Sequence, residues 1–333
     1  MIQLTIYAKT ANSPEENKLN ATLSALSERY DFQVSRVDVS ANPYLLRNLP
    51  GGPVQVDVSQ SPIRDIGNPR EIEAAIVECE KRLAAANKTD NASLIQQYGR
   101  PGRMTGSDRF TLWFTRHYVL LFNLLLLLYA GLPFLAPVLM KTGHPTAANW
   151  IYKPYKYLCH QLAYRSFFLF GEQVAYPRAI AGVETLKTFG EATGLSEYDL
   201  KIASDFVGND TVGYKIALCQ RDLGIYISLL LFGIVFGLTG KRLKPLAWWV
   251  WILFGLLPIA LDGGSQMISQ FNLPFLSWFP IRESTPLLRV ATGVLFGSLT
   301  AWLGYPSLEE TSRDARLQLE KKAALAASLE GTP

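Results

Sequence analysis

HYVLLFNLLLLLYAGLPFLAPVLM, His117 to Met140, decides the architecture of this chain. It contains no acidic residue, lysine or arginine, and a helix needs about 20 such residues to cross the hydrocarbon layer. The stretch therefore reads as a membrane span. Three more runs qualify: about Leu223 to Thr239, Leu246 to Leu261 with Pro258 inside it, and about Pro286 to Leu303. Before residue 110 the composition is that of an ordinary soluble protein. The 49% hydrophobic and 18% charged residues are thus unevenly divided, which implies a soluble module joined to a membrane module. The net charge of +4 comes without a long Lys/Arg run, which argues against nucleic acid as a partner and leaves the lipid bilayer.

Flanking charge sets an expected orientation. Arg100, Arg103, Arg109 and Arg116 precede the first span. Lys241, Arg242 and Lys244 fill the turn between the second and third. Arg313, Arg316, Lys321 and Lys322 follow the fourth. Four alternating crossings put all three groups on one side, expected to be the cytoplasm. Both termini then face inward, in a multi-pass protein of the inner (cytoplasmic) membrane. The segment from about Lys141 to Asp222 and the loop from about Gly263 to Thr285 face outward. Trp248, Trp249, Trp251 and Trp278 read as interface anchors. The first residues turn polar too early for a secretory h-region, which agrees with a cytoplasmic first domain.

That domain reads as strand IQLTIY, helix SPEENKLNATLSALSERY, strand FQVSRVDVS, strand VQVDV and helix NPREIEAAIVECEKRLAAA. Ser13 is the N-cap of the first helix, with Pro14 at its first position and Glu16 completing a capping box. IYAK runs straight toward that helix, and Gly52-Pro53 precedes a strand. In these features residues 1–86 resemble the thioredoxin/glutaredoxin group, which implies an α/β thioredoxin-like sandwich. The position of that group's C-x-x-C pair is Asn12-Ser13-Pro14-Glu15, without a thiol. Dithiol exchange needs a thiolate nucleophile, so the domain is expected to dock or regulate, through a cytoplasmic protein partner, and not to catalyse. Residues 87–110 are a linker. Residues 111–305 form an all-α four-span bundle, and residues 306–333 a cytoplasmic helix opened by Ser307 and Glu310.

The chain has three cysteines and three histidines, yet KYLCHQLAYRSF, Lys156 to Phe167, sets Cys159 beside His160. Gln161 and Arg165 follow. Cys219, Arg221 and Asp222 lie where the outer segment re-enters the membrane. Asp262 ends the third span and Gln266 follows it. Arg282, Ser284 and Arg289 surround the start of the fourth. These residues come from four parts of the chain, and bundling brings the outer helix ends together. Arg289 within a span requires a partner, Asp262 or Glu283. The segment AGVETLKTFGEATGLSEYDLKIASDF reads as an additional helical stretch in the outer loop.

Four motifs occur in order: Cys159-His160-Gln161 with Arg165-Ser166-Phe167, Cys219-Gln220-Arg221 with Gly224-Ile225-Tyr226, Asp262-Gly263 with Gln266, and Arg282-Glu283-Ser284-Thr285. Over residues 115–305 the chain resembles a bacterial membrane-protein family named domain of unknown function 2085. Asp222 stands where many members have a second cysteine. The resemblance implies the fold and the site but carries no activity.

Three readings of Cys159 and Cys219 compete. A structural disulfide would stabilise by about 3–4 kcal/mol through loop entropy. A metal site, with zinc as the fitting ion, would use Cys159, Cys219, Asp222 and either His160 or His144. Free thiols without a joint role are the third. The arginines form either an internal salt-bridge network or a seat for an anion such as a lipid phosphate. Three functions remain open: a membrane protein binding a metal or an anionic lipid-like ligand, a non-enzymatic scaffold or assembly subunit, and a thiol-disulfide relay. No motif dictates a reaction type.

Overall fold

A computed structural model describes residues 2–9, 13–40, 42–49, 54–59, 61–88, 104–270 and 280–330. Gly52-Pro53, Trp278 and most of the expected linker lie outside the described residues. The chain divides into two compact units, Met1–Arg116 with Thr311–Pro333, and His117–Glu310.

In the first unit the elements are β1 (Ile2–Ala8), α1 (Pro14–Ser27), β2 (Phe32–Asp38), α2 (Pro43–Asn48), β3 (Val54–Val58), β4 (Ser61–Pro62) and α3 (Pro69–Lys88). They form one mixed sheet in the order β2-β1-β3-β4. β1 runs parallel to β2 and antiparallel to β3. Ser13 accepts the Glu16 amide at 3.2 Å, and Pro14 opens α1, as its missing N–H permits. The Glu16 carboxylate pairs with Arg36 at 2.6 Å.

Every residue of β1 is buried, because both faces of the sheet are covered. Leu4 and Ile6 pack with Leu19, Leu23, Ile72 and Ile76 of α1 and α3. The other face is more polar, with Gln3, Thr5, Gln55 and Asp57 all buried. There Tyr7, Val37, Val39 and Leu45 pack with Leu325. Lys321 reaches Asp57 at 2.8 and 3.0 Å, and its ammonium lies 4.9 Å from the centre of the Tyr7 ring. Burial pushes the Asp57 carboxyl up, and Lys321 only partly offsets it. Removing one partner of a buried pair leaves an uncompensated charge. Lys321→Met is therefore expected to destabilise this unit by roughly 3–5 kcal/mol, and adding Asp57→Asn should recover most of the loss. Thermal unfolding of the full chain in detergent measures both. Additive losses would mean that the two side chains contribute independently.

The second unit contains most of the apolar helices. α4 (Gly106–Lys141), α8 (Gln220–Leu238), α9 (Trp248–Gln270) and α10 (Pro286–Glu330) are each long and apolar enough to cross a membrane. Between α4 and α8 come α5 (Pro145–Leu158), β5 (Ser166–Leu169), α6 (Phe189–Thr193), α7 (Leu200–Asp205), β6 (Gly208–Asn209) and β7 (Gly213–Cys219). The apolar windows of the four long helices are only 22–28% buried within the protein. Leu120, Leu125 and Leu127 are more than half exposed. Apolar surface on this scale is stable only against lipid.

Small residues set the approach of α8 to α10. A Cβ on Gly293 would lie 2.5 Å from the Arg221 carbonyl, and one on Gly297 2.4 Å from the Ile225 carbonyl. With no hydrophobic force between helices in lipid, close backbone packing of this kind holds them together. Tyr305 donates to Asn123 Oδ1 at 3.1 Å, which ties α10 to α4.

Four expectations change. The region read as an all-α bundle also holds a three-stranded antiparallel sheet, β5-β7-β6, because the chain between α4 and α8 pairs its backbone in strands. α10 runs unbroken through Pro306 to Glu330, so Ser307 opens no new helix; its hydroxyl donates back to the Leu303 carbonyl at 2.6 Å. Proline removes the bond that would satisfy the Trp302 carbonyl, and the Leu246 amide lies 3.5 Å from that oxygen. Trp251 is more than an interface anchor, since its indole N–H donates to Thr300 at 2.9 Å. The segment between α5 and α8 holds two short helices, α6 and α7, in place of one longer stretch. They pack around a small core of Tyr164, Phe168, Tyr176, Phe189 and Ala203.

Candidate functional site

The site is assembled on β7 and the ends of three long helices. β7 leads directly into α8, with Cys219 as N-cap. β5 pairs antiparallel with β7 and sets Ser166 opposite Cys219. Gln161 fixes the chain after α5: it has φ +51°, and its amide donates to the Tyr152 carbonyl at 2.9 Å and the Ala217 carbonyl at 3.0 Å. Lys215 is fully buried and donates to the carbonyls of Gln161 and Ser204, each at 2.7 Å. Burial pushes its ammonium down to about 7. Gln161 is therefore a tie that sets the position of Cys159 against β7.

Cys159, Cys219 and Asp222 come together, with all their ligand atoms within 4.8 Å of one another. Both thiols are free and half-buried, so of the three readings the disulfide is the one this structure does not contain. Their environments differ. A hydrogen bond from Cys219 lowers the Cys159 pKa, whereas the same bond and burial hold Cys219 well above the ordinary thiol value.

His160 does not join this group. It is exposed, and its carbonyl accepts the Ser204 hydroxyl at 2.9 Å. Cys159 has extended backbone, with φ −142° and ψ 140°, so successive side chains leave on opposite sides. His144 is the residue before α5, with its ring 3.3 Å from Thr142 Oγ1. Neither histidine is part of the Cys159–Cys219–Asp222 group.

Two carboxylates organise the arginines. Asp262 lies in a wide π-helical turn of α9, Ala260–Gly264, a distortion common at functional sites. It is 4% exposed. It accepts Arg221 at 2.5 Å, Arg282 at 3.0 Å and the Ser284 hydroxyl at 2.9 Å. A Cβ on Gly263 would stand 2.7 Å from the Arg221 guanidinium, so glycine leaves the room this pair needs. The expected end of the third span at Leu261 is thus passed; the helix continues to Gln270.

Glu283 collects three arginines. Arg165 binds it with both ends of its fork at 2.8 and 2.9 Å, Arg178 reaches it at 3.1 Å, and Arg289 and Gln266 make short contacts. Arg289 is 2% exposed, and its other nitrogen lies 3.3 Å from Gln220 Oε1. Burial alone would raise the Glu283 pKa, but the surrounding arginines hold it below the ordinary value. Arg165, Arg221 and Arg282 keep an accessible edge, while Arg178 is buried with its Nε unpartnered.

Residues 211–303 match the model of a family described as Predicted membrane protein (DUF2085). The matched region holds Cys219, Arg221, Asp222, Asp262, Gln266, Arg282, Glu283, Ser284 and Arg289. It leaves out Cys159, His160, Gln161 and Arg165. The chain is also 26% identical over 192 residues to an uncharacterized protein of Methanocaldococcus jannaschii, covering 55% of this chain and 86% of that protein. No solved structure matches.

Two participants escape sequence reasoning. Arg178 sits in an irregular part of the segment between β5 and α6 and carries no motif. Glu283 reads as one of two possible partners for Arg289, whereas it is the acceptor of three guanidinium groups. The motif Arg282-Glu283-Ser284 held the signal: adjacent residues of opposite charge serve different carboxylate and arginine clusters.

Proposed function

We propose that this chain is a multi-pass membrane protein that seats the anionic headgroup of a lipid-like ligand at the outer ends of its helices. One observation carries the reading. Among the described residues, five arginines, Arg165, Arg178, Arg221, Arg282 and Arg289, share two carboxylates, Asp262 and Glu283. Buried positive charge in excess of its partners is costly, and an anion at the accessible edge offsets that cost. The Lys and Arg groups flanking the spans support cytoplasmic termini, which would place this edge on the opposite membrane face.

The sheet order β2-β1-β3-β4 supports a thioredoxin/glutaredoxin-like amino-terminal domain. Its Cys79 is buried and donates to Ser59 at 3.2 Å, and no thiol occupies the position of the redox pair. The domain is read as a docking or regulatory module. Leu325 and Lys321 already cover one sheet face, so a partner would use another surface.

The test compares thermal unfolding in phosphatidylcholine nanodiscs with unfolding in nanodiscs that also contain phosphatidylglycerol, with glycerol 3-phosphate as a free-anion arm. A ligand that binds only the folded state raises its unfolding temperature. The anionic lipid is expected to raise it, and Arg165→Gln with Arg282→Gln to abolish the increment. Equal unfolding in both lipids, or an unchanged increment in the variant, would sink the reading.

A further inference from the structure

We infer that Cys159, Cys219 and Asp222 bind a thiophilic divalent cation of the zinc class. Tetrahedral zinc takes thiolate sulfur at about 2.3 Å and carboxylate oxygen at about 2.0–2.2 Å, which puts two sulfurs about 3.7 Å apart. The three ligand atoms, all within 4.8 Å of one another, need only small side-chain shifts to reach that geometry.

Charge also points to a cation. Asp262 and Glu283 are each paired with arginines, and Asp205 and Asp210 with lysines. Among the described residues no lysine or arginine pairs with Asp222, although it is half-buried. A carboxylate oxygen of Asp222 lies within 4.8 Å of both sulfurs.

The surroundings suit bound thiolates. Cys219 is the N-cap of α8, where the unpaired N–H groups of the first helical turn favour negative charge. The frame is fixed by the Gln161 ties and the Ser166–Cys219 register. Binding would release the thiol protons of Cys159 and Cys219 and leave a fourth position for water or a ligand. The pairing is independent of whether an anion occupies the arginine cluster.

Anaerobic titration of the reduced full-length protein with Co²⁺, followed by displacement with Zn²⁺, tests the site. Expected are sulfur-to-cobalt charge-transfer absorption at one equivalent per chain and its loss on adding Zn²⁺. Cys159→Ser and Cys219→Ser should each remove the band. Asp222→Asn should weaken affinity more than about tenfold, and Cys79→Ser should change nothing. Zn²⁺ should also protect Cys159 and Cys219 of the unmodified protein from alkylation, a readout that needs no variant to fold. The inference fails if the unmodified protein gives no charge-transfer band, if the band survives loss of both cysteines, or if rapid alkylation in cells traps the pair as a disulfide. None of these readouts involves lipid, so failure here and failure of the anion reading are separable.

Discussion

Glu283→Gln is expected to destabilise the His117–Glu310 unit by roughly 3–5 kcal/mol, the range found when one partner of a buried ionic network is removed. The amide keeps the shape but withdraws the charge that Arg165, Arg178 and Arg289 share. Arg289 and Arg178 are 2% and 7% exposed and cannot turn to water. Asp262→Asn should cost less, because Arg221 and Arg282 keep 21% and 36% of their side-chain surface exposed and can be resolvated. The pH profile gives a second signature. Burial would raise the Glu283 pKa, but its arginines hold it below 4.5. Its stabilisation is therefore complete above the unfolded-state pKa and is lost as pH falls through the lower folded value. Acid unfolding of the natural protein should include this step, and Glu283→Gln should lack it. Coincident unfolding of the two proteins in detergent, at neutral and acid pH alike, would show that the cluster holds nothing together.

The second large effect is expected at Gly297. A Cβ there would lie 2.4 Å from the Ile225 carbonyl and 2.2 Å from the Ser228 hydroxyl. The hydroxyl can rotate away, but the carbonyl is helix backbone and yields only if α8 moves. Ordinary overpacking costs about 1–3 kcal/mol. Gly297→Leu should exceed that range, since relief requires separating two spans, and folded protein should fail to accumulate in detergent. Gly304→Leu is the control, because nothing lies within 4 Å of a Cβ at that position. Similar yield and unfolding temperature for Gly297→Leu and Gly304→Leu would mean that α8 and α10 do not depend on close approach.

Much of this architecture was legible because its causes are local. A run such as His117 to Met140 has no stable place outside lipid, and its backbone can satisfy itself there only as a helix. The alternation of strand and helix before residue 88 follows the same logic of periodicity and capping. Helix boundaries at Asp262 and Pro306 were not legible, since each depends on a neighbour: Arg221 and Arg282 for the wide turn, and the Leu246 amide for the proline-freed carbonyl.

The sequence by itself determined which side chains could form a polar site, by placing cysteines, arginines and carboxylates beside apolar spans where they are costly to leave alone. Only the tertiary structure decided who pairs with whom. Arg165 and Arg178 reach Glu283 across more than 100 residues of chain, and His160 turns away from a cluster its neighbour Cys159 joins. Periodicity reports the direction of a side chain relative to its own helix or strand, whereas ion pairing and ligation depend on the distance between elements, which packing alone sets.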